Sequence, residues 1–189
     1  MIIITAFNEA FRPCGELCLA SLISHHQRYP GDTYAHEVIH DDFDRPASWW
    51  KIGMIRRFLE EHDRVMWVDA DTIVRGNCDL GSVMGSADLN VSVDDNGINC
   101  GVMAWKKSPH VMRFLEEIDA DESHYLHHWW EQAAISARIK EISVNFQSKD
   151  RFNAYHGDCV DESWILHWPG FQMEERIPMM QKALKEAYP

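Results

Sequence analysis

The sequence predicts a three-layer α/β/α fold of the Rossmann-like kind, helices on both faces of a mostly parallel sheet. Three observations predict it. The apolar run Ile2 to Ala6 is followed by a helical pattern and then by an alternating run, the order of a βαβ unit. A second apolar run, Arg64 to Val68, comes straight after another segment with apolar residues at helical spacing. Finally, 189 residues with 46% hydrophobic and 25% charged side chains suit one ordinary core without long disorder, so residues 1–189 read as a single domain.

The elements follow in order. After the first strand, Asn8-Glu9-Ala10 leads toward a helix from about Pro13 to His26, with Leu17, Leu19, Leu22 and Ile23 as its apolar positions. Tyr29-Pro30-Gly31-Asp32 is a turn, and Tyr34 to His40 alternates as a second strand. Asp41-Asp42-Phe43-Asp44-Arg45-Pro46 breaks the pattern before Trp49, Ile52, Ile55, Phe58 and Leu59 recur at helical spacing on a segment ending near His62. Beyond the Arg64–Val68 strand, Leu89 to Val93 and Gly101 to Trp105 read as strands, and Ser108-Pro109 opens a helix to about Ile118. Trp129 to Ile139 reads as a helix, Ile142 to Phe146 and Trp164 to His167 as short strands, and Pro178 to Ala187 as a final helix. There is no internal repeat.

Composition narrows the function. The longest apolar runs are strand-length, no signal peptide pattern opens the sequence, and a cytoplasmic location is expected. Five cysteines without a CxxC pair read as reduced thiols, Cys14 and Cys18 as buried helix positions. A net charge of -12 argues against nucleic-acid surfaces and anionic membranes, which need clustered Lys and Arg. An acidic protein that binds an anionic phosphate compound needs a cation between them.

Asp69-Ala70-Asp71 supplies carboxylates for such a cation. It follows four consecutive apolar residues, so it should emerge at the carboxyl edge of a central strand, where open α/β sheets bind ligands. Two carboxylates two residues apart can share one hard divalent ion and leave positions for phosphate oxygens.

Trp49-Trp50-Lys51 and the run Asp63 to Val74, together with Asn99-Cys100-Gly101, Glu131-Gln132 and His167-Trp168-Pro169-Gly170, resemble in order the donor-site core of GT-A-fold glycosyltransferases, especially families 8 and 34. The resemblance spans Ile3 to Phe171. It implies that Asp69, Asp71 and His167 hold Mn2+, with Mg2+ as an alternative, and that the metal grips the diphosphate of a UDP-sugar. It also implies donor contacts from Thr5, Ala6 and Asn8 at the end of the first strand, from the Val68-Asp69-Ala70-Asp71 segment, and from Asn99, Gly101 and Gly170. Arg12 or Lys51 would compensate phosphate charge, although Lys51 also reads as a surface helix cap. Asn99 would bond sugar hydroxyls, with Gly101 letting the backbone come close. Glu131 and Gln132 would lie next to the anomeric carbon, and Asp94 or Asp95 would be further acids near the sugar. The acceptor would be a glycan or another hydroxyl compound, and the anomeric configuration would be retained.

Two other readings stay open. A hydrophobic strand followed by DxD also opens haloacid-dehalogenase-type phosphatases, but these place it on the first strand and follow it with Gly-Thr, where this chain has Thr72-Ile73. A module that binds a nucleotide sugar or glycan without turnover is the third.

Overall fold

The computed structural model describes residues 1–39 and 45–189. The His40 end of the second expected strand and the acidic break Asp41–Asp44 lie outside the described residues. The elements are β1 (Ile2–Phe7), α1 (Arg12–Arg28), β2 (Thr33–Val38), α2 (Trp50–Glu61), β3 (Arg64–Val68), β4 (Thr72–Val74), α3 (Leu80–Val83), β5 (Leu89–Asp94), β6 (Gly97–Lys106), α4 (Pro109–Asp119), α5 (Trp130–Arg138), β7 (Val144–Gln147), α6 (Lys149–Phe152), β8 (Ala154–Tyr155), β9 (Ile165–His167) and α7 (Met173–Ala187). No helix among the described residues is long and apolar enough to cross a membrane.

Six strands form the main sheet in the order β2-β1-β3-β6-β5-β7. β1 pairs parallel with β2 and β3, β7 pairs parallel with β5, and β6 runs antiparallel to both its neighbours. The sheet is therefore mostly parallel, as expected, with β6 alone reversed. The reversal is local in origin. Asp95 and Asn96 join β5 to β6 in a tight hairpin, Asp94 accepts from the Asn96 N–H at 2.7 Å, and Gly97 takes the left-handed φ of 108°. Strands joined so closely can pair only antiparallel.

Strand alternation divides the core between two faces. Ile4, Val65, Trp67, Val91, Met103 and Trp105 pack under α2, α4 and α5 through Ile52, Ile55, Phe114, Leu115 and Ile135. Ile3, Met66, Val68, Val102 and Ala104 pack on the other side with Cys18 and Leu22 of α1 and with Phe152. The predicted helical spacing of α2 and the Ser108 cap of α4 both hold: Trp49, Ile52, Ile55 and Leu59 are buried, and Ser108 Oγ accepts from Val111 N–H at 3.1 Å. Cys14 and Cys18 are buried free thiols, and burial pushes the Cys18 thiol up to about 12.

Three features differ from the sequence reading. A small second sheet, β4-β9-β8, includes two strands of two and three residues, too short to leave a periodic signal. Helix α5 begins at Trp130 and β7 covers Val144–Gln147, each shifted slightly from expectation. Helix α7 begins at Met173, not at Pro178, which lies inside it. Proline favours a first turn, yet here packing of Met173, Ile177, Met180 and Leu184 in a cluster with Ile73, Leu166 and Trp168 extends the helix through it.

The topology also fixes where a ligand belongs. The chain moves from β1 to β2 on one side and then to β3 on the other, so the order reverses between β1 and β3. Crevices form at the carboxyl ends of such strands. The β1–β3 register covers only Ile2–Ile4 against Val65–Trp67, so the two strand ends separate beyond it.

Candidate functional site

Val68 ends β3 at this crevice, and the next residues are held from both sheets. Asp69 N–H donates to Gly101 O of β6 at 2.7 Å, while Trp168 N–H donates to Asp71 O at 3.1 Å. The β4–β9 register sets Thr72 opposite His167. As a result one ligand atom each from Asp69, Asp71 and His167 lies within 4.8 Å of the others, the one such group of three among the described residues.

Asp71 is buried at 8% exposure, with His167 Nε2 at 3.2 Å and an Arg176 guanidinium nitrogen at 3.5 Å. Burial alone would raise its pKa, but His167 and then Arg176 hold the carboxyl below the ordinary carboxylate range. The tautomer of His167 follows from a chain of hydrogen bonds that begins at Asp94. An ionised carboxylate only accepts, so the Asp94 Oδ2 contact at 3.1 Å fixes the Asn99 amide with its nitrogen toward Asp94. Asn99 Oδ1 then accepts from Gly101 N–H at 2.9 Å and from Asn153 Nδ2 at 2.8 Å. That leaves Asn153 Oδ1 to accept from His167 Nδ1 at 2.9 Å, so Nδ1 carries a proton and Nε2 is the atom turned to Asp71. Nitrogen thus faces a carboxylate oxygen, a contact that is favourable only with a proton or a cation between the two. Two carboxylates and an imidazole so arranged fit a divalent ion.

On the other side of Asp69, Lys51 is the organising group. It is 5% exposed and turned inward from α2, with Nζ 3.0 Å from Asp69 Oδ1, 2.9 Å from Glu131 Oε1 and 3.3 Å from Cys100 O. The surface-cap reading is thereby corrected. Burial opposes its charge, but Asp69 and Glu131 outweigh that and raise its pKa. Trp67 Nε1 also donates to Asp69 Oδ1 at 2.6 Å, so this oxygen is fully engaged and the other carboxylate oxygen is the one left for a ligand. Glu131 is buried with Lys51 as its partner, and burial raises its pKa despite that charge. Gln132 Oε1 accepts from Cys100 N–H at 3.0 Å, which ties α5 to β6.

Several expected donor contacts have other local duties. Both N–H groups of Asn99 are taken, by Asp94 and the Tyr155 hydroxyl, as are both lone pairs of its oxygen. A sugar hydroxyl would have to displace a partner. A Cβ on Gly101 would lie 2.3 Å from His167 Cε1, so the space that glycine leaves is used by the imidazole. Asp94 is partly buried, yet bonds from Tyr155, Asn96 and Asn99 keep it below its ordinary pKa. Thr5 and Ala6 are buried at the end of β1, and Asn8 caps the following turn by accepting from Phe11 N–H at 3.1 Å. Arg12 is exposed and paired with Glu9, at a distance in role from the buried cluster. Gly170 adopts a left-handed φ of 78° just after β9.

Sequence reasoning missed Trp67, Asn153, Tyr155 and Arg176. Trp67 lies within the Asp63–Val74 run, but only its inward phase on β3 was legible there; Asn153, Tyr155 and Arg176 stand in no motif. Arg176 is 4% exposed, and its Nε is buried without a partner among the described residues.

No protein-family model and no curated protein sequence matches the chain. Solved structures do resemble it. A glycosyltransferase involved in the glycosylation of the major capsid of PBCV-1 superposes with a TM-score of 0.78 at 14% identity, over 96% of this chain and 98% of that one. The galactosyltransferase LgtC, solved with donor and acceptor sugar analogs, gives 0.63 at 11% identity over 100% and 97%. The glycosyltransferase GlyE of Streptococcus pneumoniae TIGR4 gives 0.62 at 17% identity, and here the chain covers 98% of itself but only 62% of the longer relative.

Proposed function

Because the chain has the fold of GT-A-type glycosyltransferases, we propose that residues 1–189 act as one catalytic domain. It would transfer a sugar from a nucleotide diphosphate donor, a UDP-sugar, to an acceptor hydroxyl with a divalent metal, Mn2+, in attendance. The observation that carries this reading is the Asp69, Asp71 and His167 group at the carboxyl ends of β3 and β9, beside the crevice between β1 and β3.

A divalent cation bound there supplies Lewis-acid stabilisation of the charge that builds on the departing diphosphate. The remaining work falls to the protein. Asp69, Asp71 and His167 would hold the ion, while Lys51 and Trp67 fix the Asp69 rotamer and Asn153 fixes the imidazole. Arg176 sets a second positive charge beside Asp71, and its unpartnered Nε–H is a donor for a phosphate oxygen. Glu131, Gln132 and Asp94 act mainly by position, through Lys51, the Cys100 N–H and Asn99. Retention of configuration is the outcome that the likeness to glycosyltransferase families 8 and 34 implies.

The phosphatase reading needs a free nucleophilic carboxylate on the first strand. Asp69 follows the third strand, and one of its oxygens is already engaged by Lys51 and Trp67.

The test is UDP or GDP release from a panel of nucleotide sugars by the purified chain with and without Mn2+. We expect metal-dependent release that is lost in Asp69→Asn and Asp71→Asn. Release that survives both substitutions, or phosphate release from simple phosphoesters instead, would sink the proposal.

A further inference from the structure

Residues 123–130, Ser-His-Tyr-Leu-His-His-Trp-Trp, hold no carboxylate in a chain with 30 of them. They lead directly into α5. Leu126 is 94% exposed, Trp129 41% and Trp130 44%, so large apolar surface is concentrated in one short stretch. The Trp129 ring is propped edge-on by His128, centroid to centroid 4.7 Å.

Trp130 is also the one non-glycine residue among those described with a positive φ, 41°. A bulky side chain rarely adopts that backbone. The two residues after it explain why it is held there. Glu131 turns inward to Lys51, and Gln132 binds the Cys100 N–H, so the first turn of α5 is pinned to the site while the Trp130 indole stays outside. The exposed rings are therefore joined, through adjacent residues, to groups one contact away from Asp69.

Given the transferase reading above, on which this inference rests, the acceptor hydroxyl must be delivered from a surface adjoining that site. We propose that Trp129 and Trp130 are that surface and that the acceptor is a saccharide whose pyranose ring stacks on an indole. A pyranose has an apolar C–H face and a rim of hydroxyls. An indole has a matching apolar face and an N–H donor, and His127 and His128 add polar edges beside it. A second copy of this chain is disfavoured as occupant because each copy carries a net charge of -12.

The test follows the indole Nε1–H resonances of the full chain during titration with methyl β-D-galactopyranoside, lactose, maltose and cellobiose, with no donor present. We expect shifts confined to the Trp129 and Trp130 signals. Trp130→Gly suits the positive φ and so keeps the fold. In transfer assays with whichever disaccharide serves best, Trp130→Gly and Trp129→Ala should each raise acceptor KM about tenfold with donor KM unchanged, and Trp130→Phe should restore it. The platform is refuted if none of the four saccharides moves either signal, or if both variants keep the wild-type acceptor KM. It is also refuted if the substitutions only convert a dimer to a monomer. Failure of the transferase reading shows separately, as wild-type protein that neither binds nor hydrolyses any nucleotide sugar with Mn2+.

Discussion

Two buried carboxylate–imidazole pairs sit at opposite ends of the main sheet. At the carboxyl end, Asp71 Oδ1 lies 3.2 Å from His167 Nε2; at the amino end, just before β2, Asp32 Oδ2 lies 3.2 Å from His25 Nε2. All four side chains are almost fully buried. The surroundings differ. Asp32 is closed off by the Gly81 N–H at 3.2 Å, whereas Asp71 has Asp69 beside it and Arg176 behind it. The same two residue types thus make a structural tie in one place and a candidate metal centre in the other. What distinguishes them is a third ligand and a ring whose Nε2 is aimed by its neighbours.

The sharpest way to break this comparison is Asp71→Asn set against Asp32→Asn. Asp71→Asn should lower metal-dependent activity by about 10²–10³-fold or more. It should also abolish the Mn2+-induced rise in melting temperature, which near a hundredfold excess over Kd corresponds to about 2.7 kcal/mol. Equal losses from Asp32→Asn would erase the distinction.

Lys51→Met comes next. It leaves the buried Glu131 and the half-buried Asp69 without their cation, and denaturant unfolding should show a loss of about 3 kcal/mol. Asn153→Ala frees His167 to choose the other tautomer, and titration calorimetry should find Mn2+ binding about 10–100-fold weaker with the fold intact.

The smallest effect belongs to the amino-end tie. Burial would raise the Asp32 carboxyl, but the His25 and Gly81 bonds hold it below its ordinary value of 3.8. A depressed folded pKa means that its stabilisation is complete above 3.8 and is lost as pH falls through the lower folded value. Asp32→Asn should cost about 1–3 kcal/mol near neutrality while leaving Mn2+ binding unchanged. Its unfolding curve should approach that of wild type as acid is added.

The same contrast explains what was legible in the sequence. Asp69, Asp71, Asn99, Gln132 and His167 lie at element ends in a recognisable order, and that order led to the crevice. The strands β1, β3 and β6 showed themselves through apolar runs. Lys51 was named as a candidate cation but its inward turn to Asp69 and Glu131 was not legible, and Asn153, Tyr155 and Arg176 did not show at all, because these roles depend on partners far away in sequence and periodicity reports only the faces of a single element. Arg176 was further hidden by Pro178, which reads as a helix start although α7 is already under way. Of the small sheet only β9 was legible, as the run Trp164 to His167, because the three-residue β4 and two-residue β8 carry no period.

That small sheet has one more consequence. Pairing β4 with β9 brings His167 beside Asp71 although roughly a hundred residues separate them, a loop long enough for its closure to be entropically costly. A cation held by both would be a clasp on the chain as well as an instrument of chemistry. Chelators should then loosen the α7 end of the molecule, visible as faster amide exchange in α7 and β9, before they unfold the sheet.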